Sequence, residues 1–340
     1  MTARRVVVIG ASAGGIEALR LLLAELPATF PAPLCIAVHT APQSPGVLHQ
    51  ILDRVCALSV VQARTGQRLE PGRVYVAPPD RHLLIEPGLV RVTKGPREHG
   101  FRPAVDPLFR SAAQVFGPAA IGVVLTGNLD DGTAGLWTIR KLGGLAIVQD
   151  PDDALFPSMP MNALRHVTVD FKVSLSRMPS LLVELTAEPL PTREAASPPA
   201  HIEVEVDIAK EKNPRDAGLE ELGRPSPYAC PDCHGVLLEI EEGGRIRFRC
   251  HTGHAYSVES LLAMMNEGIE HSTSAAVRSL EEASILMNRI AVELKRHDQV
   301  DASDRMMRAS VEAKQRADAI VQLMREHEAE LTIDDEMSMK

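Results

Sequence analysis

The 340-residue chain is short of aromatic side chains: one Trp, three Tyr and seven Phe make up 3% of it. It has no run of about 18 apolar residues, which excludes a membrane-spanning helix. Met-Thr-Ala-Arg-Arg leads straight into an apolar strand, with no separate h-region and cleavage site, so no secretory signal is expected. There is no concentrated basic tract, and with it goes the electrostatic footprint of a nucleic-acid binder. Cysteine is scarce as well. Five residues, three of them gathered after residue 229, argue for a metal site rather than a disulfide framework, and for a cytoplasmic protein.

What is present is enough for two or three domains: 45% of the residues are apolar and the net charge is −9. That charge is uneven. Residues 1–190 hold 18 Lys and Arg against 16 Asp and Glu, residues 191–256 hold 8 against 12, and residues 257–340 hold 10 against 17. The acidic surplus belongs to the C-terminal part.

The stretch that organises the chain is the first strand and its turn. Val6-Val7-Val8-Ile9 is a short buried strand, Gly10-Ala11-Ser12-Ala13-Gly14-Gly15 a tight turn, and Ile16 to Ala24 a helix. Ser12 thus sits at a helix N-terminus, where free N–H groups and positive potential can activate a hydroxyl or hold an anion. Three readings compete. A dinucleotide fingerprint would need glycine where Ser12 stands and an acid where the second strand, Leu34 to Val38, ends in His39. Gly10-x-Ser12-x-Gly14 fits a hydrolase elbow, but that fold places long sequence before it. Ser12 as a simple helix cap is the plainest reading, and the turn alone favours it.

The following segments weigh against the plain reading. Ser44 to Ala57 is expected to be a helix, and 83–86 with 89–92 a hairpin about Pro87-Gly88. A longer loop, Lys94 to Pro103, carries Arg97, His99 and Arg102. Ile121 to Leu125 is another buried strand, ending in Thr126-Gly127-Asn128-Leu129-Asp130-Asp131-Gly132, with a helix from Thr133. The pattern is that of a doubly wound, mostly parallel α/β sheet with helices on both faces. In such sheets the active crevice lies at the carboxyl ends of the strands. Ser12, His39 and the Asp130-Asp131 pair fall at three such ends. A serine that attacks, a histidine that takes its proton and an aspartate that fixes the imidazole form a serine hydrolase's working set.

Residues 4 to about 185 closely resemble the catalytic domain of the CheB-type protein-glutamate methylesterases. The resemblance is carried by Val8 to Gly15, by the strand ending in His39, and by Val76-Ala77-Pro78-Pro79-Asp80-Arg81-His82. Further on it is carried by Arg102 to Phe109 and by Leu125 to Gly132. It implies Ser12 as nucleophile, His39 as general base and Asp131, which directly precedes the glycine, as orienting acid. No cofactor is implied for catalysis. The implied reaction is hydrolysis of glutamate methyl esters on chemoreceptor helices, with a related glutamine deamidation, and other signalling proteins of the pathway as possible partners. Two departures stand out. The family's best-known members carry a receiver domain first, whereas this chain begins at the catalytic strand, so gating by an attached receiver is not expected. Asn128-Leu129-Asp130 also replaces the more usual Met-Gly-Asn.

Thr186 to Pro227 is rich in Pro, Glu and Ala and has the composition of a linker. Within it Ile202 to Ile208 alternates, as an edge strand would. Cys230-x-x-Cys233 followed by Cys250-x-x-x-His254 has the spacing of a zinc ribbon, with Cys230, Cys233, Cys250 and His254 as ligands of a structural zinc. His251 is the rival for the fourth place and His234 a weaker one. From Val277 on, Leu280, Ala283, Met287, Ile290 and Leu294, then Met306, Ala309, Ala313, Ile320 and Leu323, recur at helical spacing. The expected organisation is a catalytic domain at 1–187, a linker at 188–227, a zinc-ribbon-like module at 228–256, a helical hairpin at 257–332 and a frayed tail at 333–340. Two other functions remain open from sequence: a non-catalytic scaffolding module, and an esterase with a different substrate.

Overall fold

The structure, a computed structural model, describes residues 5–189 and 199–338. Seven parallel strands form the central sheet: β1 (Val6–Ala11), β2 (Leu34–Val38), β3 (Ser59–Gln62), β4 (Arg73–Val76), β7 (Ala120–Val124), β8 (Leu145–Gln149) and β9 (Phe171–Val173). Their spatial order is β3-β4-β2-β1-β7-β8-β9. β5 (His82–Glu86) and β6 (Leu89–Thr93) make a separate antiparallel hairpin.

The strand β1 is central because its side chains are wanted on both sides. Val6 and Val8 enter a core that includes α3 (Val105–Phe116), α4 (Thr133–Lys141) and α5 (Ser158–His166). Val7, Ile9 and Ala11 enter the opposite core, against α1 (Gly15–Ala24) and α6 (Met178–Ala187). A strand buried on both faces has no polar alternate positions, which is why it is a run of valines. β1 pairs with β2 on one side and β7 on the other, Ala11 facing Val38 and Gly10 facing Val124. The chain turns left and later right from this strand, so the crevice outside its carboxyl end is the switch point of the sheet.

Two expectations are corrected. The helix expected over 44–57 is confined to α2 (Leu48–Asp53). The alternating stretch 202–208 is not an edge strand but part of α7 (Ala200–Ala209). Ile202, Glu205, Val206 and Ala209 are all buried, at intervals of three, one and three residues that only a helix aligns on one side. Alternation misled because Glu205 is a buried residue in a polar position of the pattern. Residues 190–198 of the expected linker lie outside the described residues.

The ribbon-like module begins earlier than expected. β10 (Arg224–Ala229), β11 (Val236–Glu242), β12 (Arg245–Cys250) and β13 (Ala255–Ser257) form a four-stranded antiparallel sheet. A buried set of charges fastens it to the first domain. Glu98 pairs with Arg110 of α3 and lies 2.9 Å from Arg249; Arg249 also bonds Glu205 of α7, and Arg247 lies 2.9 Å from Glu242. Three arginines and three glutamates, all buried, thus neutralise one another. Burial alone would raise the Glu98 carboxyl, but the Arg110 and Arg249 guanidiniums hold it well below the usual range.

The helical hairpin is present as α8 (Val258–Arg296) and α9 (Val300–Ser338). Its seam is made of small residues, Ala291, Ser303, Ser310, Ala313 and Ala317, with Ser284 and Ser310 hydroxyls 3.1 Å apart. Ile290 and Leu323, expected on the stripe, are exposed. The last two residues of the tail expected at 333–340 lie outside the described residues. No described helix is long and apolar enough to cross a membrane.

Arg249→Met is expected to lower stability by about 3–5 kcal/mol, because it leaves Glu98 and Glu205 charged, buried and short of a partner. Urea unfolding measures it. A loss below about 0.5 kcal/mol, the ordinary surface value, would mean the charges are not sealed.

Candidate active site and metal centre

Ser12 follows the last residue of β1. Its N–H donates to the Thr126 carbonyl at 3.0 Å and its carbonyl accepts from Gly15 at 2.9 Å, so the turn is pinned on both sides. Gly14 is the N-cap of α1, with φ of 72°, a left-handed conformation that glycine adopts without strain, and no side chain caps the helix. The capping reading of Ser12 therefore fails, and its hydroxyl points elsewhere. His39 Nδ1 lies 3.0 Å from Ser12 Oγ, and His39 Nε2 lies 2.6 Å from Asp131 Oδ2. The hydroxyl donates to Nδ1 and the Nε2–H donates to the carboxylate. The imidazole thus turns its δ nitrogen to the serine, the reverse of the arrangement in trypsin-like enzymes.

Asp131 is 1% exposed. Its Oδ2 also accepts the Val105 N–H at 2.7 Å, and Oδ1 accepts the Asp106 N–H at 3.0 Å. The carboxylate sits on the N-terminus of α3, whose free N–H groups hold it in place. Sequence reasoning missed this docking. The signal was a helix beginning after Ala104 without a Ser, Thr, Asp or Asn to cap it: its cap comes from Asp131, 26 residues away.

The loop at 94–103 borders the crevice. Phe101 stacks on His39, ring centres 3.9 Å apart and planes within 7°. Ser12, His39, Thr40, Arg97, Phe101 and Arg102 border a cavity of about 470 Å³. Arg102 grips Asp80, Nε at 2.9 Å and Nη2 at 2.6 Å from one carboxylate oxygen. Arg97 reaches Asp232 at 3.5 Å. Asp130, the other acid of the pair, does not meet His39; burial raises its carboxyl, and it accepts the Ser257 hydroxyl at 2.7 Å.

The structure also brings Cys230, Cys233, Cys250 and His254 together, their ligand atoms all within 4.8 Å of one another. Cys233 Sγ is 3.5 Å from Cys250 Sγ, and His254 Nδ1 is 3.6 Å from Cys230 Sγ and 3.5 Å from Cys250 Sγ. Zn–S bonds near 2.3 Å in a tetrahedron set sulfurs roughly 3.8 Å apart, so the donor set fits a closed four-coordinate ion. Tyr256, 3.6 Å from Cys230 Sγ, donates to Asp232 at 2.5 Å and braces the Cys-x-x-Cys turn. His251 is exposed and His234 stands apart from the cluster.

A Ser–His–Asp chain at the switch point of a doubly wound parallel sheet is the arrangement by which serine hydrolases of the α/β class work. Residues 7–182 match the family described as CheB methylesterase, and the chain belongs to that family. It is 39% identical over 188 residues to a putative protein-glutamate methylesterase/protein-glutamine glutaminase of Leptospira interrogans, covering 55% of this chain and 97% of that one. It is 41% identical over 182 residues to the protein-glutamate methylesterase/protein-glutamine glutaminase of group 3 operon of Bradyrhizobium diazoefficiens, covering 52% of this chain and 50% of that one. The crystal structure of the Thermotoga maritima CheB methylesterase catalytic domain superposes with a TM-score of 0.51 at 34% identity, over 53% of this chain and 98% of that one.

Gly127 packs so close that an added Cβ would lie 2.8 Å from Ser12 Cβ and 2.6 Å from Met159 Sδ. Gly127→Ala is therefore expected to push Ser12 off the His39 line and slow its labelling by a fluorophosphonate on the order of a hundredfold, as a misplacement near 1 Å does. Time-resolved mass spectrometry of the labelled peptide reads this. Labelling at the wild-type rate would show that the alignment is not set by this contact.

Proposed function

We propose that the chain is a serine esterase that removes methyl groups from glutamate side chains of methyl-accepting receptor helices, and deamidates glutamine at the same kind of site. The observation that carries this reading is the single imidazole bridging Ser12 and Asp131. Ser12 Oγ attacks the ester carbonyl while its proton passes to His39 Nδ1. The imidazolium so formed keeps its Nε2–H on Asp131, which stabilises the charge without taking the proton. The tetrahedral oxyanion forms beside the head of α1, where backbone N–H groups and the helix dipole favour negative charge. As it collapses, His39 Nδ1–H protonates the departing methoxide, which leaves as methanol. Water then enters by the reverse proton route and frees the glutamate carboxylate; with glutamine the leaving group is ammonia. Arg97 on the cavity rim suits an acidic receptor surface.

The family's substrate, a methylated receptor helix, is the substrate class this reading assigns, with no catalytic cofactor. A cytoplasmic location accompanies it, since three cysteines serve as thiolate ligands rather than disulfides. Cys230, Cys233, Cys250 and His254 would hold a zinc ion, supplying cross-linking rather than chemistry because all four positions are filled by protein.

Purified enzyme is expected to release methanol from methylated receptor, and Ser12→Ala to reduce kcat by about a thousandfold or more. Full activity in Ser12→Ala would sink the assignment of the nucleophile. Absence of turnover by the wild type on both the receptor and p-nitrophenyl acetate would sink the esterase.

The protein should carry about one zinc per chain by elemental analysis, and Cys233→Ser should lose most of it and unfold at lower temperature. Metal-free protein with intact thiols and an unchanged melting temperature would rule the zinc out.

A further inference from the structure

Behind Asp131 lies a second histidine that the triad does not use. His99 is 3% exposed and has φ of 54°, a left-handed backbone uncommon outside glycine. Its N–H donates to the Ala255 carbonyl of β13 at 2.7 Å. Its Nε2 lies 3.0 Å from Asp106 Oδ2 and 3.7 Å from Asp131 Oδ1; its Nδ1 lies 2.9 Å from Ser260 Oγ in the first turn of α8. Ser257 and Ser260 bond reciprocally there, each hydroxyl accepting the other's N–H, at 3.0 and 2.9 Å, in the manner of a capping box.

We propose that His99 is a positioning residue for the catalytic acid, held against Asp131 by β13 and the first turn of α8, so that the C-terminal module completes the catalytic centre. This rests on the esterase reading above and extends it to residues beyond the family's 7–182. Phe101, two residues on, stacks on His39. In its charged form His99 donates Nε2–H to Asp106 and Nδ1–H to Ser260, leaving every ring proton bonded. The charged groups packed around it are Glu98; Asp106 and Arg110 of α3; Asp130 and Asp131; Arg245 and Arg247 of β12; and Glu259 of α8. Burial opposes the charge, but the bond to Asp106 and the fields of Asp131 and Asp130 outweigh it, and the imidazole is pushed up to about 9. His99 is therefore a cation at neutral pH.

A cation on the far side of Asp131 weakens the negative field the carboxylate projects onto His39. Its removal strengthens that field at the ring, and the acid limb of kcat/KM moves upward. The test compares wild type, His99→Gln and Ser260→Ala, with thermal unfolding as the control for folding. In His99→Gln we expect kcat to fall about tenfold with KM within about twofold, an acid limb shifted to higher pH, and a displaced low-field proton resonance from the His39–Asp131 bond. Ser260→Ala should move both readouts the same way by less. In the wild type that resonance should itself move as His99 loses its proton near pH 9. The resonance is read without substrate, so a wild type without esterase activity would fail the proposed function and leave this test standing. An unchanged acid limb and resonance in a folded variant, or a wild-type resonance flat from roughly pH 7.5 to 10, overturns the proposal.

Discussion

The carboxylate of Asp131 is where the demands of the fold meet. Its two oxygens receive two N–H groups at the start of α3 and the Nε2–H of His39. A helix that lacks a cap of its own is capped by the carboxylate that also meets His39. The arrangement requires β7 to lie beside β1, β1 beside β2, and α3 to begin directly beneath the turn. It also explains why Gly10 is glycine: a Cβ there would meet Val105 Cγ1 at 2.2 Å, where α3 starts. The close approach that places Asp131 leaves no room for a side chain on the strand that leads to Ser12.

Much of this was legible in the sequence, because strand ends are legible. Buried parallel strands are short apolar runs, and the residues just beyond them share one edge by topology alone. Ser12, His39 and the Asp130-Asp131 pair could be gathered without any knowledge of distance, the choice of Asp131 coming from the family resemblance, and the Cys and His spacing gathered Cys230, Cys233, Cys250 and His254 in the same way. Which nitrogen of His39 meets the serine was not legible. That depends on how the ring is turned by Phe101 and by the carboxylate, which no one-dimensional pattern records.

The misreadings share one cause. Glu205 was taken as the polar half of an alternating strand, yet it is buried in a helix, paired with Arg249. Glu98, His99 and Arg110, charged residues of a loop and a helix, are likewise all buried. Sequence patterns equate charge with exposure, and that equation fails where charges of both signs are buried together. In the hairpin the expected stripe holds at Ala313, which is buried at the seam, and fails at Ile290 and Leu323, both exposed.

The charge network that joins Glu98 to Arg249 also imposes an order in time. On the ribosome, a chain growing at roughly 5–20 residues per second completes the segment bearing Ser12, His39 and Asp131 long before it makes β12. For about eight to thirty seconds the nascent domain holds Glu98 without Arg249 and His99 without Ser260. Such non-local pairs form late and slowly. A nascent chain of this protein therefore carries all three triad residues well before the face behind its acid is closed.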